Sequence, residues 1–141
     1  MTAKFEQISN KPGFMKHNGG ILFRKISDTE FEFKATIDEN KLNSAGITHG
    51  GYICSIIDAG SGTAAHRASN NTPCVTISLD IKFISATKNG DEIKGFTKIQ
   101  KITKSMVFLI CYLESNSKLV ASASGVWKKL KKNIPDFGPG G

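Results

Sequence analysis

One acidic side chain, Asp58, stands alone in a stretch of small and apolar residues. From Gly50 to Ala65 it is the only charged residue, and its neighbours are mostly Gly, Ala, Ser, Cys, Thr and Ile. Burying an unpaired carboxylate costs several kcal/mol. Asp58 is therefore either hydrogen-bonded for structure or kept for chemistry, as a general base or as a nucleophile.

A second feature precedes Asp58, where His49, Gly50 and Gly51 mark the change from a polar loop to the apolar stretch. The first backbone N–H groups of a helix are free to polarise a carbonyl, and glycine lets a ligand approach the backbone closely. The alternative is that Gly50 and Gly51 only form a turn into the helix and contact no ligand. His49 could hold the loop by a hydrogen bond or contact the ligand, and we expect His49 and Gly51 to contribute to substrate binding.

The spacing of these residues constrains the assembly. Gly50 and Asp58 are eight residues apart, which is about 12 Å along one helix. Both groups cannot lie within ~3 Å of the same carbonyl, because that is hydrogen-bonding distance. If both act in one site, they come from different subunits with antiparallel helices, and the chain is predicted to form at least a dimer.

Hydrophobic periodicity predicts the elements that position these residues. A helix is expected over residues 51–68, becoming polar at His66 and Arg67, where it should emerge at the surface. In the segment that follows, period-two alternation places Thr76 on the face opposite Val75 and Leu79. Strands are predicted at residues 21–26, 30–37, 74–84, 92–103, 106–114 and 119–130.

The order of two strands, one helix and four strands predicts an α+β fold. A single helix covers only one face of such a sheet, so a curved antiparallel sheet of about six strands should wrap around it, and a partner subunit should bury the remaining face or edge. We expect an N-terminal segment over residues 1–17, a single domain over 18–131 and a flexible tail over 132–141, which is rich in Gly and Pro.

Composition excludes several classes of protein. No apolar run is long enough to span a membrane, and the N-terminus has no signal-peptide core. The three cysteines lack metal-ligand spacing, so we expect reduced thiols, no metal, and a cytoplasmic location. The net charge of +7 comes from scattered lysines and a cluster at residues 128–132 without interleaved aromatic residues, which argues against nucleic-acid binding.

The pattern Asn43-(x)2-Gly46-(x)2-His49-Gly50-Gly51, with Asp58 seven residues after the second glycine, resembles the hotdog-fold acyl-CoA thioesterases. The nearest type is the phenylacetate-pathway (PaaI-like) and THEM2-like branch of the 4-hydroxybenzoyl-CoA thioesterase superfamily. Residues 83–91 also look like the family's turn between its third and fourth strands. The resemblance covers about residues 18–130 and implies a hotdog fold and hydrolysis of an acyl thioester to free acid and CoA.

The resemblance also implies roles for individual residues. Asn43 would orient the thioester or the water, the Gly50 N–H would polarise the carbonyl, and Asp58 would be the base or nucleophile. Thr76 falls on a hydroxyl position that holds the water in several members. Many relatives have Glu in place of Asp58 and Ser in place of Thr76. No cofactor is implied, and the partners would be acyl-CoA and further copies of the chain, as a dimer or tetramer.

Two other functions are compatible with the same sequence features. A non-catalytic acyl-CoA binding module would usually lack the carboxylate of Asp58, and a dehydratase would need a paired His and acid, for which His49 lacks the setting.

Tyr52, Phe83 and neighbouring isoleucines could line a pocket for an aryl or a fatty acyl group. The phosphates of CoA could meet Lys82, Lys88 or the cluster at residues 128–132.

Overall fold

The structure is a computed structural model that describes residues 3–131. It contains one long helix and a seven-stranded antiparallel sheet. No helix within the described residues is long and apolar enough to cross a membrane. The elements are β1 (Glu6–Gln7), α1 (Phe14–His17), β2 (Leu22–Lys25), β3 (Glu30–Thr36), a 3-10 turn (Glu39–Lys41), α2 (Gly50–Ala68), β4 (Cys74–Phe83), β5 (Glu92–Ile102), β6 (Met106–Ser115) and β7 (Lys118–Lys129).

The sheet has the strand order β1-β2-β3-β5-β6-β7-β4 and packs one face against α2. It is open, with β1 and β4 at its edges. The predicted helix and all six predicted strands are confirmed, with ends that shift by at most one residue. The seventh strand, β1, was not predicted, because two residues are too short to show a period.

The core lies between α2 and the inner face of the sheet. On α2, Ile56 and Ile57 are fully buried, and alternating strand residues such as Phe33, Leu109 and Leu113 meet them from the sheet. His66, expected at the surface, is buried because α2 stays packed against the sheet into its last turn.

The domain boundaries stay a prediction, and the tail at 132–141 lies outside the described residues.

A β-bulge at residue 77 changes the facing of the residues at the start of β4. Thr76 pairs with Trp127, whereas Ser78 pairs with Val126, so Ile77 has no partner on β7. Cross-strand partners share a face, and Trp127 is buried on the inner face. Thr76 therefore faces α2, on the same side as Leu79, and the simple alternation expected from the sequence is wrong at this point. Bulges commonly re-aim a side chain in this way.

Close packing between the helix and the sheet depends on glycine. A Cβ atom on Gly60 of α2, or on Gly95 of β5, would clash with the ring of Phe33. The ring fills the space that the missing side chains leave, and Phe33 has no exposed surface. The missing side chains bring the middle of α2 close to the sheet, and that part of the helix carries Asp58.

The substitution Gly60→Ala tests this packing. Alanine gains about 1 kcal/mol of helix propensity over glycine, but we expect the clash with Phe33 to outweigh it and to lower the free energy of unfolding by about 1–2 kcal/mol net. Urea denaturation measures the change. In a Phe33→Leu background the loss should shrink, because the ring is gone. An increase in stability from Gly60→Ala alone would contradict the account.

Candidate functional site

The carboxylate of Asp58 is held by the next strand. The Thr76 hydroxyl donates to Asp58 Oδ1 at 2.6 Å, which the bulge in β4 makes possible by turning Thr76 toward α2. Asp58 lies in the middle of α2 and is partly exposed. A carboxylate oxygen has further lone pairs, so Oδ2 is available to a water or a substrate. The structure thus brings together two of the predicted site residues.

The start of α2 is capped by its own preceding residue. His49 is the N-cap, and its Nδ1 accepts a hydrogen bond from the Gly51 N–H at 2.7 Å. This bond places the proton of the neutral imidazole on Nε2. The Gly51 N–H is therefore already used, whereas the Gly50 N–H comes before the first intrahelical bond and is one of the helix's free donors. The local structure favours the Gly50 N–H as the group that meets a ligand oxygen.

The loop before the helix is organised by Asn43. Its Oδ1 accepts from the backbone N–H groups of Ala45 at 2.9 Å and Ile47 at 3.3 Å, and its own N–H donates to the Ile47 carbonyl at 2.7 Å. With Oδ1 committed to the loop, the Nδ2 amide group is the part of the side chain left to donate elsewhere. Asn43 is therefore both a loop organiser and a candidate donor.

A cavity of about 320 Å³ opens beside the helix start. Asn43 and Gly50 line it together, and the connection after β4 forms its opposite wall. The ring of Phe83 lies over Gly50, 3.5 Å from where a Cβ atom would be. The remaining wall is mostly apolar, with three hydroxyl residues among its members: Ile47, Thr48, Ile53, Ile84, Ser85, Ala86, Thr87 and Val120. Tyr52, which the sequence allowed as a pocket residue, is buried in the core instead.

The four predicted catalytic residues therefore form two groups within one chain, whereas His49 and Gly51, predicted to bind substrate, bond to each other and do not line the cavity. Asn43 and Gly50 share the cavity, and Asp58 and Thr76 share a hydrogen bond, but neither Asp58 nor Thr76 lines the cavity. The two groups sit about 12 Å apart along α2, from the rise of the helix. Thr48 also lines the cavity and was not among the predicted site residues, although its place between Asn43 and His49 in the sequence was a signal for it.

Other reactive groups are poorly suited to catalysis. Burial raises the pKa of the Cys111 thiol to about 12 and also raises that of Cys74, so both stay protonated at neutral pH. Burial, with a smaller contribution from Asp38, raises the pKa of the Tyr52 phenol to about 12. Within residues 3–131, no three His, Cys, Asp or Glu side chains come together as metal ligands. These observations argue against Cys74, Cys111 and Tyr52 as catalysts, and Asp58 stays the predicted candidate for acid–base or nucleophilic work.

Comparison with known protein families matches residues 45–117 to the Thioesterase superfamily. A Pseudomonas aeruginosa protein named "Putative esterase" is 33% identical over 110 residues, which cover 77% of this chain and 82% of that protein. The mouse (Mus musculus) protein "Acyl-coenzyme A thioesterase 13" is 29% identical over 112 residues, covering 78% of this chain and 80% of that protein.

The solved structure of zebra fish thioesterase superfamily member 2 superposes with a TM-score of 0.79 at 21% identity, covering 86% of this chain and 90% of that one. This similarity confirms the predicted hotdog fold, an antiparallel sheet around one long helix. The family match spans the helix start, Asp58 and Thr76. The chain therefore belongs to the thioesterase superfamily, and it is a thioester hydrolase, as the His-Gly-Gly and Asp58 pattern predicted.

Proposed function

We propose that the protein is an acyl-CoA thioesterase whose active sites are shared between two subunits. Each site would combine Asn43 and Gly50 of one subunit with the partner subunit's Asp58 and Thr76. The proposal rests on the separation of the predicted catalytic residues within one chain. Asn43 and Gly50 line the cavity at the start of α2. Asp58, which is bonded to Thr76, lies about 12 Å further along the same helix. A second, antiparallel copy of α2 removes that separation.

The surface around α2 supports such a pairing. Its uncovered stripe carries Gly51, Cys54, Ser55, Asp58 and Gly62, all of which keep some exposure. These small side chains let a second helix approach closely. Beside the stripe, the ten-residue edge strand β4 exposes Val75 and Ile77, at 40% and 52%. A long apolar edge strand is a template for pairing with another chain.

Two-fold symmetry then fixes the register of the two helices. If Gly50 of one subunit faces the partner subunit's Asp58, the axis passes the residue midway between them, which is Cys54. Each Cys54 would then face its own copy, and a small side chain is required there. Because an isologous interface repeats every contact, the dimer would hold two identical sites.

The mechanism follows from these positions. The thioester carbonyl oxygen would accept from the Gly50 N–H and from Asn43 Nδ2, which stabilise the negative charge that develops on it. The partner subunit's Asp58 would take a proton from a water that attacks the carbonyl carbon, or would attack that carbon itself. The partner subunit's Thr76 would fix the carboxylate through Oδ1.

When water attacks, collapse of the tetrahedral intermediate expels CoA, and the proton that Asp58 took from the water passes to the CoA sulfur. When Asp58 attacks, CoA leaves from an acyl–Asp58 anhydride, which a water then hydrolyses to the free acid and the carboxylate while its proton passes to the CoA thiolate. Neither route needs a cofactor.

Further features fit the proposed substrate and setting. Lys88 comes directly after the cavity-lining residue Thr87 in the sequence and is exposed. We therefore place the phosphates of CoA near Lys88. Lys82 already pairs with Asp80. Three unpaired thiols among the described residues fit a reducing compartment such as the cytoplasm. On the outer sheet face, exposed Phe108, Ile110 and Tyr112 would allow two dimers to pair as a tetramer.

The substitution Asp58→Asn tests the role of the carboxylate. Asparagine keeps the shape and can still accept from Thr76, but it is neither a base nor a nucleophile. With a panel of arylacetyl, benzoyl, short and long fatty acyl-CoA substrates, we expect kcat to fall by ~10²-fold or more. Thiol release measures the rate.

Asp80→Asn is the matched control, because Asp80 is an exposed aspartate on β4 that faces away from α2. Its variant should keep the wild-type rate. If Asp58→Asn and the wild type hydrolyse every substrate at the same rate, Asp58 is structural. If neither hydrolyses any of them yet both bind the esters, the chain is an acyl-CoA binding module.

The substitution Gly50→Pro tests the backbone donor. Proline is well tolerated at the first position of a helix but lacks an N–H group. It also requires an extended preceding residue, and His49 already has φ −64° and ψ 133°. We expect a folded protein whose kcat falls by ~10²-fold or more, as for other lost oxyanion donors.

Gly50→Ala is the paired control because it keeps the N–H group. Its added Cβ atom would sit in ordinary contact with Phe83 at 3.5 Å, so this variant should lose much less activity than Gly50→Pro. Circular dichroism melts check that both variants fold. Equal rates for Gly50→Pro and Gly50→Ala would exclude the Gly50 N–H from catalysis.

A further inference from the structure

Two buried threonines form a polar spot in the wall of the cavity beside Gly50. The Thr87 hydroxyl donates to Thr48 Oγ1 at 2.6 Å, and the Thr48 N–H donates to the Thr87 carbonyl at 2.8 Å. Thr48 is 8% exposed and Thr87 is 4% exposed, and both line the cavity. These two bonds join the loop before α2 to the connection after β4.

This pair has one proton without an acceptor. Two hydroxyl groups carry two O–H donors, and the single bond between them uses only one. Either hydroxyl can rotate to donate in this bond, so one of the two protons is left over, and within residues 3–131 no protein acceptor takes it. Buried donors normally find a partner, because leaving one unpaired is costly. The cavity is the open space that both residues share, so an acceptor that enters it can take the proton.

We propose that the Thr48 hydroxyl is a further hydrogen-bond donor to the thioester carbonyl oxygen, and that Thr87 is the positioning residue that orients it. This inference rests on the proposed acyl-CoA thioesterase function. Thr48 stands two residues before Gly50, and the cap by His49 fixes the backbone between them. The carbonyl oxygen would then meet donors from Gly50, Asn43 and Thr48, all of which line one cavity.

The pair explains why hydroxyl groups are present in a mostly apolar wall. When Thr87 donates to Thr48, one lone pair of Thr48 Oγ1 is used in the wall and the Thr48 proton is left for a ligand oxygen in the cavity. A donor held in this way needs no reorganisation when charge develops on the carbonyl oxygen, which is how preorganised donors accelerate acyl transfer. A valine of similar shape would seal the wall equally well but would donate nothing.

The test compares Thr48→Val with Thr48→Ser. We expect Thr48→Val to lower kcat by about 10- to 100-fold with little change in KM, because the donor acts mainly on the developing charge. Thr48→Ser, which keeps the hydroxyl, should recover most of the rate. Thr97→Val is the matched control, since Thr97 is a buried threonine on β5 whose hydroxyl contacts the Phe31 carbonyl away from the cavity.

A double-mutant cycle tests the role of Thr87. Thr87→Val should lower kcat by itself, but it should add nothing in the Thr48→Val background, because it acts through the same hydroxyl. A purely structural pair would behave differently: the double Val variant would remove the orphaned polar group and recover activity together with stability. Thermal melts of all variants separate these cases, and recovery of kcat in the double variant would overturn the proposal.

The outcome also separates this proposal from the function on which it rests. A wild type whose rate depends on Asp58, beside a Thr48→Val variant that keeps that rate, would overturn the role of Thr48 and leave the thioesterase function intact. A wild type that hydrolyses no acyl-CoA would overturn both.

Discussion

The rise of an α-helix fixes the distance between Gly50 and Asp58, and much of the structure can be understood from that distance. The two residues are about 12 Å apart along one helix, so a carbonyl that accepts from the Gly50 N–H is out of reach of the carboxylate of the same chain. A second, antiparallel helix closes this gap only if the two helices approach closely. The stripe of small residues on α2, with Cys54 at its centre, and the open edge of β4 are both consistent with that requirement.

Much of this arrangement could be predicted from the sequence. The long helix and six strands each extend over enough residues to show a period of 3.6 or 2.0, so their ends were predicted to within one residue. Asp58 was identifiable because a charge in an apolar segment needs a reason to be there. The helix start at Gly50 was identifiable because glycines and a capping residue mark the change from loop to helix.

The remaining features depend on contacts between distant residues. The bulge at Ile77, which turns Thr76 toward Asp58, arises from pairing with β7 and leaves no signal in the alternation of β4. The bond between Thr48 and Thr87 joins residues that are 39 positions apart. The burial of His66 likewise reflects how far the sheet extends along α2. In each case tertiary packing, and not local pattern, sets the position of the side chain.

A mixed dimer of two inactive variants tests the shared site most directly. A subunit with Asp58→Asn keeps Gly50, and a subunit with Gly50→Pro keeps Asp58, so their mixed dimer contains one intact site if each site draws on both chains. Random pairing of co-expressed subunits makes half of the dimers mixed, and the account predicts about a quarter of the wild-type rate. If each site is built within one chain, the mixture will be as inactive as either variant alone, and that result would contradict the account.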